Sequence, residues 1–192
     1  MRVVGAVAVY NAGQSWPLSG LPFTGDTMTL RLSRVLLVAA VAFYYTLIVF
    51  NNCTDYGTNY QFVRHVMLMD TTLPGNHGMW RAIQSPWMQK AFYDGIIAWE
   101  AVIMALCWAG SVRMVRELRE PIGAFHKACR IAVAGLALGL LLWLVAFLTI
   151  GGEWFLMWQS KTWNGQEAAL RMFVVTGIAL LVVIIPEGEI PS

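Results

Sequence analysis

Charge is what this chain has least of. Only 12% of its residues are charged, against 58% hydrophobic. A water-facing domain of this size carries about twice that charged fraction. So few charges cannot cover a soluble surface, and the bilayer is the expected solvent. Histidine is also scarce. None of His65, His77 and His126 falls inside a long apolar run, which argues against a buried bis-histidine haem held from the bundle interior. Cys53, Cys107 and Cys129 lie in three different regions, without CxxC or CxxCH, so no disulfide framework is expected. The first residues lack the basic start, apolar run and cleavage site of a signal peptide. No Walker motif, nucleophile elbow, HExxH or dinucleotide fingerprint occurs. No long basic run points to nucleic acid.

What is present is apolar sequence of membrane length. Val35 to Phe50 is apolar throughout, and Leu30 and Leu32 extend it downwards with Arg31 and Arg34 snorkelling. Ala91 to Val112 is the second run, Ile131 to Ile150 the third and cleanest, and Ala168 to Ile185 the fourth. Pro186 ends the last, because its ring clashes with the preceding turn. The expected spans are therefore about 31–50, 91–112, 131–150 and 168–185. The fold class is all-α: a polytopic four-helix membrane bundle. Residues 1–27 show no helical or strand period and contain Pro17 and Pro22. They are expected to be an uncertain extension or flexible tail, with Met28 the natural start and 28–192 the membrane domain.

Lysine and arginine set the orientation. Of the 13 in the chain, eight lie before the first span or between the second and third, and five lie in the other two loops or at the start of the fourth span. The positive-inside bias puts both termini in the cytoplasm. The loops 51–90 and 151–167 then face outward, into the periplasm of a bacterium, with the chain in the inner membrane.

The long first loop, Asn51 to Lys90, separates the first two apolar runs and is far too long for a turn. Tyr60 to Met69 reads as a short helix with Phe62, Val63, Val66, Met67 and Met69 at helical spacing. Thr58 or Asn59 is placed to cap it. Pro74, Gly75 and Gly78 break the chain, and Met79 to Gln84 suits one more helical turn. Trp80, Trp87, Trp154, Trp158 and Trp163 read first as an interfacial aromatic belt. The two loops are expected to form a short helical periplasmic cap.

The run Asn51-Asn52-Cys53-Thr54-Asp55-Tyr56-Gly57-Thr58-Asn59-Tyr60-Gln61-Phe62-Val63-Arg64-His65-Val66, followed by Met69-Asp70-Thr71-Thr72 and Trp80-Arg81-Ala82-Ile83, resembles the signature of a bacterial family of predicted small integral membrane proteins. That family is classed as a domain of unknown function. The resemblance covers about Met28 to Pro186 and is specific in the loop, generic in the helices. It implies a four-helix inner-membrane protein and carries over no catalytic residues.

Glu100 is the sharpest candidate for chemistry. It lies about 13 Å along the second helix from Ala91. A carboxylate at that depth is costly and needs a partner or a proton. Tyr44 or Tyr45 stands at a suitable height to donate a hydrogen bond. The functional reading is a proton relay or quinone contact; the plainer one is an interhelical polar clamp worth about 1 kcal/mol. Ala132, Gly135 and Gly139 make a small-residue face on the third helix, suited to close packing inside the bundle or against a partner. In the outer loop Asp55, Arg64, His65, Asp70, Trp80 and Arg81 form a candidate interaction surface. Their spacing is no recognised metal-ligand pattern, and no metal site is expected.

Three function classes follow. The first is a non-catalytic accessory or structural subunit of a larger inner-membrane complex, respiratory or photosynthetic. The second is a quinone- or lipid-binding module using Glu100 with Tyr44 and Tyr45. The third is a small transporter or channel built as an oligomer. Catalysis by this chain is not expected, and no cofactor is expected to be bound by it alone, while lipid or quinone contact stays open. Membrane lipids and protein subunits are the expected partners.

Overall fold

The computed structural model describes residues 27–187. All but one residue of the 1–27 extension, and the last five residues, lie outside them. Five α-helices dominate: α1 (Thr27–Thr54), α2 (Tyr56–Leu68), α3 (Pro86–Arg116), α4 (Ile122–Leu141) and α5 (Gln166–Ile184). A π-helical segment, Leu142–Trp154, continues α4 without a break, and short 3-10 turns occupy His77–Arg81 and Met157–Gln159. Four helical stretches are long and apolar enough to cross a membrane: Thr27–Thr54, Pro86–Arg116, Ile122–Trp154 and Gln166–Ile184. The chain is a polytopic helical bundle, with α3 packed between α1 and α4.

The helices are longer than the apolar runs alone suggest. Twenty-eight residues of α1 rise about 42 Å, more than the roughly 30 Å hydrocarbon core. Their ends therefore carry polar groups beyond it. Each helix buries one stripe. On α1 this is Arg31, Arg34, Val35, Val38, Val41, Ala42 and Tyr45, at steps of three and four. Leu36, Phe43, Leu47 and Phe50 point outward and are exposed. Large apolar side chains on the outside are what a bilayer solvent permits.

Glycine sets the distance between α3 and α4. A Cβ on Gly110 would stand 2.6 Å from the Ala132 amide nitrogen, and one on Gly135 would stand 2.8 Å from the Cys107 sulfur. Gly139 gives room to the Tyr45 hydroxyl and the Thr176 methyl. The small-residue face thus lies inside the bundle. It lets backbones approach where lipid offers no hydrophobic incentive for helices to meet.

Several local expectations are corrected. Arg31 and Arg34 do not snorkel. They are buried and share Glu187: Arg31 Nε lies 3.0 Å from one carboxylate oxygen and Arg34 Nη1 2.9 Å from the other. Arg31 also donates to the Leu118 and Glu120 carbonyls, and Arg34 to that of Ile185. This clamp ties the segment after α5 to α1 and to the α3–α4 connection. The loop helix starts at Tyr56, with only Asp55 between it and α1, so neither Thr58 nor Asn59 caps it; Asp55 holds the cap position without a side-chain bond. The turn expected at 79–84 is the 3-10 turn His77–Arg81. The third span runs on through Trp154 in π geometry. There Phe155 N–H bonds the Ile150 carbonyl, and the Thr149 hydroxyl reaches back five residues to Leu144.

The two long loops close over one end as a cap with its own small core of Met67, Met69 and Phe155. Met69 ends α2 at a φ of 54°, a left-handed conformation that a non-glycine residue holds only at a cost. Its burial in the cap core offsets that cost. The Ile83 amide bonds the Met67 carbonyl, and Thr71 and Ser160 join their hydroxyls at 2.8 Å.

Candidate functional site: an apolar cavity beside a buried polar ladder

Under the cap lies an open cavity of about 430 Å³. Phe62, Val66 and Met67 of α2 form its roof, Phe92 and Trp99 of α3 one wall, and Phe147 of the π-helix another. No charged or amide side chain lines it. The sequence explains the shape. Positions 62, 63, 66 and 67 share a face of α2, and 91, 92, 95, 96 and 99 share one of α3. Gly95 lies on that wall, and a Cβ there would meet nothing within 4 Å. Volume of this order suits a small ligand, and apolar lining with few polar groups is the common pattern.

The neighbouring face of α3, about 100° round the helix, carries polarity. Glu100 is buried and accepts a hydrogen bond from Asn52 Nδ2 at 2.7 Å. Tyr93 donates to Asn52 Oδ1 at 3.1 Å. Further towards the cap, Tyr60 donates to Gln89, which donates in turn to the Ile83 carbonyl. Tyr56 donates to Asp94 at 2.8 Å. Burial first, then that bond to the carboxylate, pushes the Tyr56 phenol up to about 12, so it stays a donor. The rings of Tyr56, Tyr60 and Tyr93 stack and tilt on one another at 4.8–6.1 Å. The result is a ladder of amides and phenols from the cap down to Glu100.

This differs from the expected site. Glu100 takes its bond from Asn52, not from a tyrosine. Tyr45 instead accepts from Trp143 Nε1 at 2.8 Å, and Tyr44 meets Tyr45 edge to face. Glu100, Tyr44 and Tyr45 therefore belong to two separate polar contacts. Asn52 and Tyr93 escaped sequence reasoning because one sits at the edge of an apolar run and the other looks like an ordinary aromatic. The signal was available: Tyr93 and Glu100 are seven residues apart, two turns on one face.

The loop candidates have structural partners. His65 bonds Asp70 at 2.7 Å and stacks on Trp163 with ring centroids 4.7 Å apart. Arg64 bonds Gln61 within α2, and the Asp55 carbonyl accepts from Asn59. Arg81 lies against Trp80 and Trp154 and donates to the carbonyls of Glu153 and Trp154. It joins the two outer loops. Among the described residues no group of three His, Cys, Asp or Glu side chains is placed to hold a metal. All three cysteines are free.

No curated protein and no solved structure matches this chain. A family model described as "Predicted small integral membrane protein (DUF2165)" matches residues 30–186. That stretch includes nearly all of the four apolar helices, the cap and every residue of the clamp but Glu187. It is most of the chain, and the protein belongs to this family of small integral membrane proteins of unknown function.

Proposed function

We propose that this protein is a membrane module that binds the hydrocarbon tail of an amphipathic lipid, such as a quinone, under its cap. The apolar cavity carries this reading. It opens between helices that face lipid, so hydrocarbon is the occupant at hand. One of its lining residues also carries a donor without a partner among the described residues: the buried Trp99 indole nitrogen. Such a group costs about 1–3 kcal/mol. The nitrogen has no open surface, so only a ligand that turned the ring towards its own carbonyl would recover that cost.

Gly95→Leu tests the reading. The new side chain enters open space on the cavity wall and obstructs it, and leucine is a better helix former than glycine. A diazirine-tagged long-chain quinone or fatty-acyl probe is expected to label peptides containing Ile96, Trp99 or Phe147 in the native protein. Labelling there should disappear in Gly95→Leu, at a melting temperature no lower than that of the native protein. Equal labelling in the variant, or labelling spread over the outward faces, sinks the proposal.

The accessory-subunit reading has weaker support. Its small-residue face lies inside the bundle, against Gly110, Cys107 and Tyr45. It keeps the exposed cap tryptophans, Trp80 at 75% and Trp87 at 76%. Stoichiometric co-purification in mild detergent is its test. For location we propose the bacterial inner membrane with both termini cytoplasmic, supported by the arginine and lysine asymmetry. A green fluorescent protein at the C-terminus should then fluoresce, and alkaline phosphatase at the same place should be inactive.

A further inference from the structure

A second groove lies at the other end of the molecule, away from the cap. It has a volume of about 420 Å³ and runs between the first half of α4 and the end of α5. On α4 its wall is His126, Cys129, Arg130 and Val133, one stripe at steps of three, one and three. On the other side stand Val183, Ile184 and Pro186. The groove is polar at one end and apolar at the other. His126 and Arg130 come first along α4, and Val133 lies further into the bundle.

Charge decides what suits it. Arg130 and His126 are exposed and make no ion pair or hydrogen bond among the described residues. The one buried carboxylate at this end, Glu187, has both oxygens engaged by Arg31 and Arg34. Among the described residues, then, Arg130 has no counter-anion. The groove lies between two helices long and apolar enough to cross a membrane, so lipid is at hand. Basic pockets between such helices recognise anionic headgroups.

We infer that this groove is a site for one anionic phospholipid, with its phosphate on Arg130 and His126 and the start of an acyl chain along Val133, Val183 and Ile184. The order of polarity along α4 matches that of the lipid. Arg130 supplies a planar fork of donors suited to phosphate oxygens. The inference is independent of the cavity under the cap, which lies on other helix faces.

Native mass spectrometry of the whole protein from mild non-ionic detergent, offered phosphatidylglycerol or phosphatidylcholine of matched chains, tests it. The native protein should retain one phosphatidylglycerol, about fivefold more strongly than phosphatidylcholine, the worth of one cation at the surface. Arg130→Gln should remove that preference. The pair Arg116→Gln, at the end of α3, and Arg119→Gln, in the α3–α4 connection, should keep it. Arg130 is exposed, so the variant should melt as the native protein does. Equal retention by Arg130→Gln overturns the site, and so does equal loss in the Arg116 and Arg119 pair, which would mean diffuse attraction. Displacement of the lipid by millimolar inorganic phosphate, with phosphate retained in its place, would overturn the lipid and leave a free-anion site.

Discussion

The two ends of the bundle bury polarity in opposite ways. At the cap end, Glu100 sits against an amide, and the groups above it are amides and phenols joined by single hydrogen bonds. At the clamp end, two guanidinium groups close directly on one carboxylate. The first is a set of small, separable contributions beside an open apolar cavity. The second is a charged knot whose members cannot be removed singly without leaving a buried charge alone. The comparison teaches where the molecule tolerates change: at the cap end, where a ligand has room, and not where the last helix is tied to the first.

The largest effect should come from breaking the knot. Glu187→Ala leaves Arg31 and Arg34 buried without a counter-charge. Loss of one partner from a buried pair costs about 3–5 kcal/mol. Thermal unfolding in detergent should show a large fall, and an unchanged midpoint would mean that the two arginines reach solvent or lipid phosphate unaided. Next comes the middle of the bundle. Gly110→Val puts a side chain against the Ala132 backbone, which cannot give way. Overpacking of this kind costs about 1–3 kcal/mol or more, and a crosslink between α3 and α4 should form more slowly.

Smaller still is the ladder. Asn52→Leu removes the donor to Glu100, and an interhelical hydrogen bond in a membrane is worth about 1 kcal/mol. If the contrast between the ends holds, this variant should melt only slightly lower and Glu100→Gln in the same background should restore most of the loss. A fall as large as that of Glu187→Ala would erase the contrast. Gly95→Leu should cost no stability at all. It fills empty space and gains up to about 1 kcal/mol of helix propensity, while abolishing capture of the apolar probe.

Legibility followed the range of the interactions. The four spans were readable because length and hydropathy are local properties that a bilayer tests directly. Their ends were not, since α1 continues in polar sequence as far as Thr54 and α4 begins at Ile122. The α2 face of Phe62, Val63, Val66 and Met67 was readable from its spacing, and these residues line the cavity. The cavity itself was invisible, because it needs α2, α3 and the π-helix together. Arg31 and Arg34 were misread as snorkelling for the same reason: their partner is Glu187, 156 residues from Arg31. The π geometry also left no mark, because Leu142–Ile150 is as apolar as an α-helical span.

The sequence by itself determined that this is a membrane protein with four crossings, because apolar surface in such excess has no other solvent. It also determined the small residues through which helices can meet and the depth of one carboxylate. Only the tertiary structure decided which groups satisfy one another: Asn52 with Glu100, Trp143 with Tyr45, Glu187 with both arginines. Buried polar groups take whatever partner the packing of distant helices brings within about 3 Å. These pairs join α1 to α3, the π-helix to α1 and the segment after α5 to α1, and no single stretch of the chain contains both members.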